Sequence, residues 1–235
     1  MKKLVTLSLI LSGCAEIPLA KWRVEENLEL QDRALGRQWF EKIKEKIKFN
    51  NDSETDSYLN DLGNVLIRKS EKLKESPLSV FAVKDSDHWS TFGLPGAKIF
   101  ISMRLLKEIE YESVVAAALA FEISKLEQRS LSKKINLSES DKLTYESILV
   151  TPSIHELSES AKSAVRILYY SGYDPRGLVS YWKLLQNNIR VSPIELRSLK
   201  VLAEVSFEES TSLPPLMKPV VKSEQFLTIR RRWAK

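Results

Sequence analysis

Between Glu112 and Gln128 the sequence has Val114, Val115, Ala117, Ala118, Phe121 and Leu126 among further alanines, so that almost every side of a helical wheel is apolar. A helix of this kind cannot lie on a surface, because it has no polar face to turn to water. The rest of the chain must therefore wrap around it. The remaining segments suit that task, since most show apolar residues at helical spacing on one face only. With 43% apolar residues, only 7 glycines and 9 prolines in 235 residues, the tight turns of an all-β fold are scarce. One α+β domain, predominantly helical, is expected around a central helix.

The spacing of Leu28, Leu30, Leu35, Trp39, Ile43 and Ile47 predicts a long first helix from Lys21 onward, broken at Asn50-Asn51-Asp52-Ser53. Asp52 or Ser53 can cap a second helix bearing Tyr58, Leu59, Leu62, Val65 and Leu66. Leu78 to Val83 and Lys98 to Ser102 are rich in β-formers and read as two strands of a small sheet, with a turn at Gly93-Leu94-Pro95-Gly96. Ser130 to Asp141 is polar and reads as a surface loop. Helical patterns resume at Ser158 to Ser171, pass a turn at Gly172-Tyr173-Asp174-Pro175, continue through Leu178 to Leu185 and recur to Lys235. The net charge of +5 is spread along the sequence without the aromatic-interleaved basic motif of a nucleic-acid reader, which argues against that partner. Arg230-Arg231-Arg232 reads as a solvated helix end complementing the macrodipole, in preference to a headgroup-binding patch.

Met1-Lys2-Lys3 is a positive start, Leu4 to Leu11 is apolar, and Leu11-Ser12-Gly13-Cys14 follows at once, the pattern of a secretory signal. Leu-Ser-Gly-Cys resembles the bacterial lipobox, which implies cleavage after residue 13 and lipid attachment to Cys14. Cys14 is the only cysteine, so it has no disulfide partner within the same molecule. Residues 14–21 then form a lipidated tether and residues 22–235 the folded body. Ala15 in place of aspartate implies an outer-membrane lipoprotein facing the periplasm of the cell envelope, with the leaflet left open.

Five motifs in order resemble zinc metallopeptidase family forty-eight, the HtpX-like and BepA- and LoiP-like envelope peptidases. They are Ala34 to Gln38, Tyr58 to Gly63, the hairpin Phe92 to Phe100, the helix Ala117 to Lys125, and Gly172 to Arg176. The family's hairpin usually reads F-A-L-P-G-G-x-I-F, its helix A-x-L-A-H-E-I-G-H and its turn G-Y-D-P-R. The resemblance runs from about Leu35 to Leu185 and implies a gluzincin-like domain whose central helix is a former active-site helix.

In H-E-x-x-H two imidazoles one helical turn apart hold zinc, and the glutamate polarises the metal-bound water. Here Phe121 and Lys125 stand at the two imidazole positions and only Glu122 remains. A phenyl ring offers no lone pair and an ammonium repels a dication. The third ligand, a glutamate in the family's E-x-x-A-D segment, falls on Leu157, or on Ser158 if Ala161 sets the register. The expectation is that zinc and catalysis are lost, no cofactor is held, and Lys125 supplies Glu122 with the positive charge the metal once gave.

What the resemblance then implies is a pseudoenzyme that binds an envelope protein or peptide, in outer-membrane assembly or quality control. Its groove is expected along the strand Lys98, Ile99, Phe100, Ile101 and Ser102, whose open edge would take an extended peptide unless residues 205–235 cover it. Two alternatives are an active zinc endopeptidase using His88, His155 and Glu156, and a lipid or envelope-component binder with an apolar cleft lined by Phe121. Ser130 and Lys133 match a Ser-x-x-Lys spacing, which chance supplies in a run rich in both residues.

Overall fold

The computed structural model describes residues 17–84, 91–129, 132, 153–188 and 193–234. Residues 1–16, with Cys14 and the expected signal segment, and His88, Trp89, Ser130 and Lys133 lie outside the described residues. Among the described residues, eight helices and one three-stranded sheet make up the fold, which is α+β and mostly helical. In sequence order these are α1 (Ile17–Lys44), α2 (Ser53–Ile67), β1 (Ser79–Val83), β2 (Thr91–Leu94), β3 (Lys98–Ser102), α3 (Met103–Glu108), α4 (Glu112–Gln128), α5 (Ile154–Tyr170), α6 (Gly177–Asn188), α7 (Pro193–Ser212) and α8 (Glu224–Trp233). No helix among the described residues is long and apolar enough to cross a membrane. Helix α1 already begins at Ile17, so residues 17–21, expected as tether, are helical, and Pro18 sits in the first turn, where a missing N–H costs least.

Helix α4 is the centre. Residues 112 to 124 are all buried, and Ala116, Ala117, Ala118 and Ala120 have no exposed surface. These short side chains let α5, α6, α2 and the sheet approach closely, and α5 answers with Ala161 and Ala164. Helix α5 runs antiparallel to α4: Ser163 Oγ donates to Glu127 near one end, while Tyr173, just past α5, reaches Glu112 at the other.

In the sheet β3 is the middle strand, parallel to β1 and antiparallel to β2. Alternation divides its residues between two cores. Val80, Ala82, Ile99 and Ile101 face the main core around α4, whereas Phe81, Val83, Phe92, Leu94 and Phe100 face Trp39 and Ile43 of α1. Phe92 and Phe100 stack with ring centroids 4.5 Å apart. The outer edge of β1 is closed by the protein itself: the Asn60 side chain bridges Val80 N and O, and Asn50 N donates to Ala82 O.

Helix α8 packs on α2 and α3 through Phe226, Ile229 and Trp233, and Trp233 Nε1 donates to Thr55 Oγ1 at 3.0 Å. The triple arginine is not simply a solvated end. Arg230 Nε donates to Ile109 O at 2.9 Å, and Arg232 pairs with Asp52 and Glu54.

Candidate functional site

Phe121, Glu122 and Lys125 lie on the stretch of α4 that faces β2 and α6. Glu122 is 1% exposed, a position an ionised carboxylate tolerates only with partners. Two are present. Lys125 Nζ stands 2.8 Å from Glu122 Oε2, and Thr91 Oγ1 donates to Glu122 Oε1 at 2.9 Å. The threonine has a single proton and gives it to the carboxylate, so the Tyr181 hydroxyl, 2.9 Å from Thr91 Oγ1, must be the donor in that contact. A directed series of hydrogen bonds thus runs from Tyr181 through Thr91 to Glu122. Burial, and then the Glu122 charge, hold the Tyr181 hydroxyl above its ordinary range, while Thr91 lowers it, so the phenol stays protonated and keeps its role as donor.

Phe121 is 5% exposed and meets Trp182 edge-on, with centroids 4.7 Å apart at 90°. The Trp182 indole donates to Ser206 Oγ, which itself donates to Leu202 O, so the ring is fixed from behind by α7. Lys125 Nζ is 5.3 Å from the Phe121 ring centroid. At the two positions that hold imidazoles in H-E-x-x-H, the structure has an aromatic pair and an internal ion pair.

The hairpin reaches this site through a glycine. A Cβ on Gly93 would come within 3.3 Å of Glu122 Oε2 and 3.2 Å of the Leu126 side chain. Gly93 therefore lets β2 lie close on α4. The tip of the hairpin is gripped by α1, since a Cβ on Gly36 would fall 1.8 Å from Pro95 O. Asp32 of α1 takes a bidentate contact from Arg129, the left-handed residue that ends α4.

The third-ligand positions lie on α5, which packs along α4. In the amide orientation that satisfies both its polar atoms, Gln128 donates to Glu156 O and accepts from Ser160 N. Leu157 and Ser158 thus stand beside the end of α4, about 10 Å along its axis from Phe121. Leu157 is buried in the core. The nearby carboxylates serve local ends: Glu156 closes a capping box with Ser153, and exposed Glu159 pairs with Lys162. His155 is exposed on the first turn of α5. Among the described residues no group of three or more His, Cys, Asp or Glu is gathered to hold a metal ion. Phe121 and Lys125 do not fit zinc, because a phenyl ring has no lone pair and an ammonium repels a dication.

One expectation is corrected. The strand Lys98, Ile99, Phe100, Ile101 and Ser102 has no open edge, because β1 and β2 occupy both sides of it. Its continuous apolar run is the signature of a strand buried on two faces, which was the signal for a central place. The edge strand beside Glu122 is β2, and no described strand pairs with its outer side. Of residues 205–234, those in α7 pack on α5 and α6 and those in α8 on α2 and α3. Thr91, Tyr181 and Trp182 were not singled out by sequence, for nothing in their spacing distinguishes them from ordinary strand and helix residues. No family model matches the sequence, and no curated protein matches it.

Proposed function

We propose that this protein is a catalytically silent relative of zinc metallopeptidase family forty-eight, built on a gluzincin-like domain, that acts by binding an extended peptide or protein segment along the outer edge of β2. The observation that carries the reading is the ion pair: the carboxylate that would polarise a zinc-bound water is neutralised by Lys125 at 2.8 Å. Phe121, packed on Trp182, takes the place of the other imidazole. An edge strand can take up an added strand without any hydrolysis.

Lipid attachment at Cys14 would hold the body at the outer membrane, facing the periplasm, where envelope proteins are the partners and no nucleic acid is met. Neither alternative gains support. Phe121 is buried against Trp182, and Glu156 closes the cap of α5. The test is hydrolysis of casein by the purified Ala15 to Lys235 body, with and without chelator. The reading expects no chelator-sensitive cleavage; zinc-dependent cleavage abolished by His155→Ala would establish the enzyme instead.

A further inference from the structure

Helix α1 lies across one face of the sheet and advances in the same sense as β3. Two contacts fix the register between them. Before β3 begins, a Cβ on Gly96 would stand 2.9 Å from Arg33 Cα. Further along, the Phe40 and Phe100 ring centroids are 6.1 Å apart. Four residues of helix advance about 6 Å and two residues of strand about 6.6 Å, so the elements stay in step. Arg37, one turn beyond Arg33, therefore stands level with Lys98, two residues beyond Gly96. Lys98 shares the α1 side of the sheet with Phe100, and Ser79, its cross-strand partner on β1, shares that side with Phe81. A guanidinium, an ammonium and a hydroxyl thus converge from three elements.

No carboxylate balances them. Among the described residues neither Arg37 nor Lys98 is in an ion pair or a hydrogen bond, and the acids nearest along α1 are taken: Glu29 pairs with Arg33 and Glu41 with Lys44. Burial, and then the Arg37 charge, hold the Lys98 ammonium below its ordinary range. Arg37 is exposed and Lys98 half-buried, so the pair opens to solvent on one side. Two like charges held together repel, and an anion between them removes that repulsion.

We infer that Arg37, Lys98 and Ser79 form a binding site for a phosphate group. A phosphate monoester carries about −1.5 to −2 charge near neutral pH and three acceptor oxygens, which answers two cations and one hydroxyl. A carboxylate brings a single charge and two oxygens. The arginine offers its planar fork to two phosphate oxygens, and the lysine a point charge to the third. The group belongs either to a soluble phosphate ester or to a lipid headgroup, whose chemistry at the site is the same. The site lies on the α1 side of the sheet, apart from Glu122 and Lys125, and does not depend on the peptide reading.

The experiment is a chemical-shift titration of the isotope-labelled Ala15 to Lys235 body with inorganic phosphate, against chloride at equal ionic strength. The amides of Gly96, Ala97 and Lys98 should shift and saturate. Arg37→Gln and Lys98→Gln should each weaken binding about tenfold, the factor one charge-assisted hydrogen bond supplies. Lys98→Arg should keep it. Ser79→Ala, which leaves both charges in place, should weaken it about threefold and serves should a charge variant fail to fold. Flotation with phosphatidylcholine vesicles, with and without phosphatidic acid, separates the two sources. Binding to the phosphatidic acid vesicles that is lost in Lys98→Gln assigns the site to a headgroup; binding of inorganic phosphate alone assigns it to a soluble ester. No saturable shift with inorganic phosphate, or one of equal strength in the parent and the variants, would overturn the site.

Discussion

Replacing Lys125 by methionine is the sharpest perturbation of the site, because it keeps the aliphatic stem and removes only the charge. Glu122 is then left 1% exposed with a single neutral donor, Thr91. Removing one member of a buried pair typically costs about 3–5 kcal/mol, since the remaining charge stays desolvated. The Lys125 side chain is 24% exposed, so solvent already screens part of the attraction. A cost of about 3 kcal/mol, the low end, follows. With a urea m-value of about 3 kcal/mol/M for a protein of this size, the unfolding midpoint falls by about 1 M at unchanged slope. The double variant Glu122→Gln with Lys125→Met removes both charges and should recover most of that loss, to within about 1 kcal/mol of the parent. Urea titrations followed by tryptophan fluorescence and circular dichroism measure all three. A neutral single variant, or a double variant as unstable as the single, would refute the idea that the pair replaces a metal as the neutraliser of Glu122.

Gly36→Ala should cost about 3 kcal/mol or more, because the new methyl meets the Pro95 carbonyl, a backbone atom unable to swing aside; thermal unfolding reads it, and a neutral result would show that α1 does not grip the hairpin. Asp56 is pushed up by burial, with the neighbouring Asp52 charge adding to it, against a backbone hydrogen bond from Ala82. A carboxyl raised in the folded state weakens folding once the pH passes its unfolded value, so Asp56→Asn should stabilise the protein at neutral pH and lose that advantage in acid below pH ~4. Asp52 behaves oppositely: the hydrogen bonds from Arg232 and Thr55 hold it down, and the stability it contributes disappears as the pH falls through its lowered value. Comparing the acid limbs of Asp52→Asn and Asp56→Asn by urea titration separates the two; parallel curves would contradict both assignments.

The central helix was fully legible, since apolarity on all sides admits only one environment, and α4 spans Glu112–Gln128 as its pattern requires. Strands β1 and β3 were also written in their β-branched and aromatic residues. Strand β2 was not, because Gly93 in a four-residue strand looks like turn sequence, and its reason is a tertiary one, close approach to Glu122 and Leu126. Strand order escaped for the same cause: pairing partners are set by long-range packing, although the two-faced burial of β3 was visible in Ile99-Phe100-Ile101. Of the site, the Glu122–Lys125 contact follows from helical spacing alone, three residues apart on one face. Thr91, Tyr181 and Trp182 come from other elements and meet α4 only in the folded protein. Leu30 shows the limit of periodicity from the other side, for it fits the helical pattern of α1 and yet remains 56% exposed.

The most direct test of the account is the zinc content of the Ala15 to Lys235 body, measured by elemental analysis after purification without chelator and again after incubation with excess zinc and dialysis. The proposed reading, in which Lys125 neutralises Glu122 in place of a metal, predicts no retained zinc in either sample. One equivalent per molecule, held through dialysis, would contradict it and turn attention to His88 and His155.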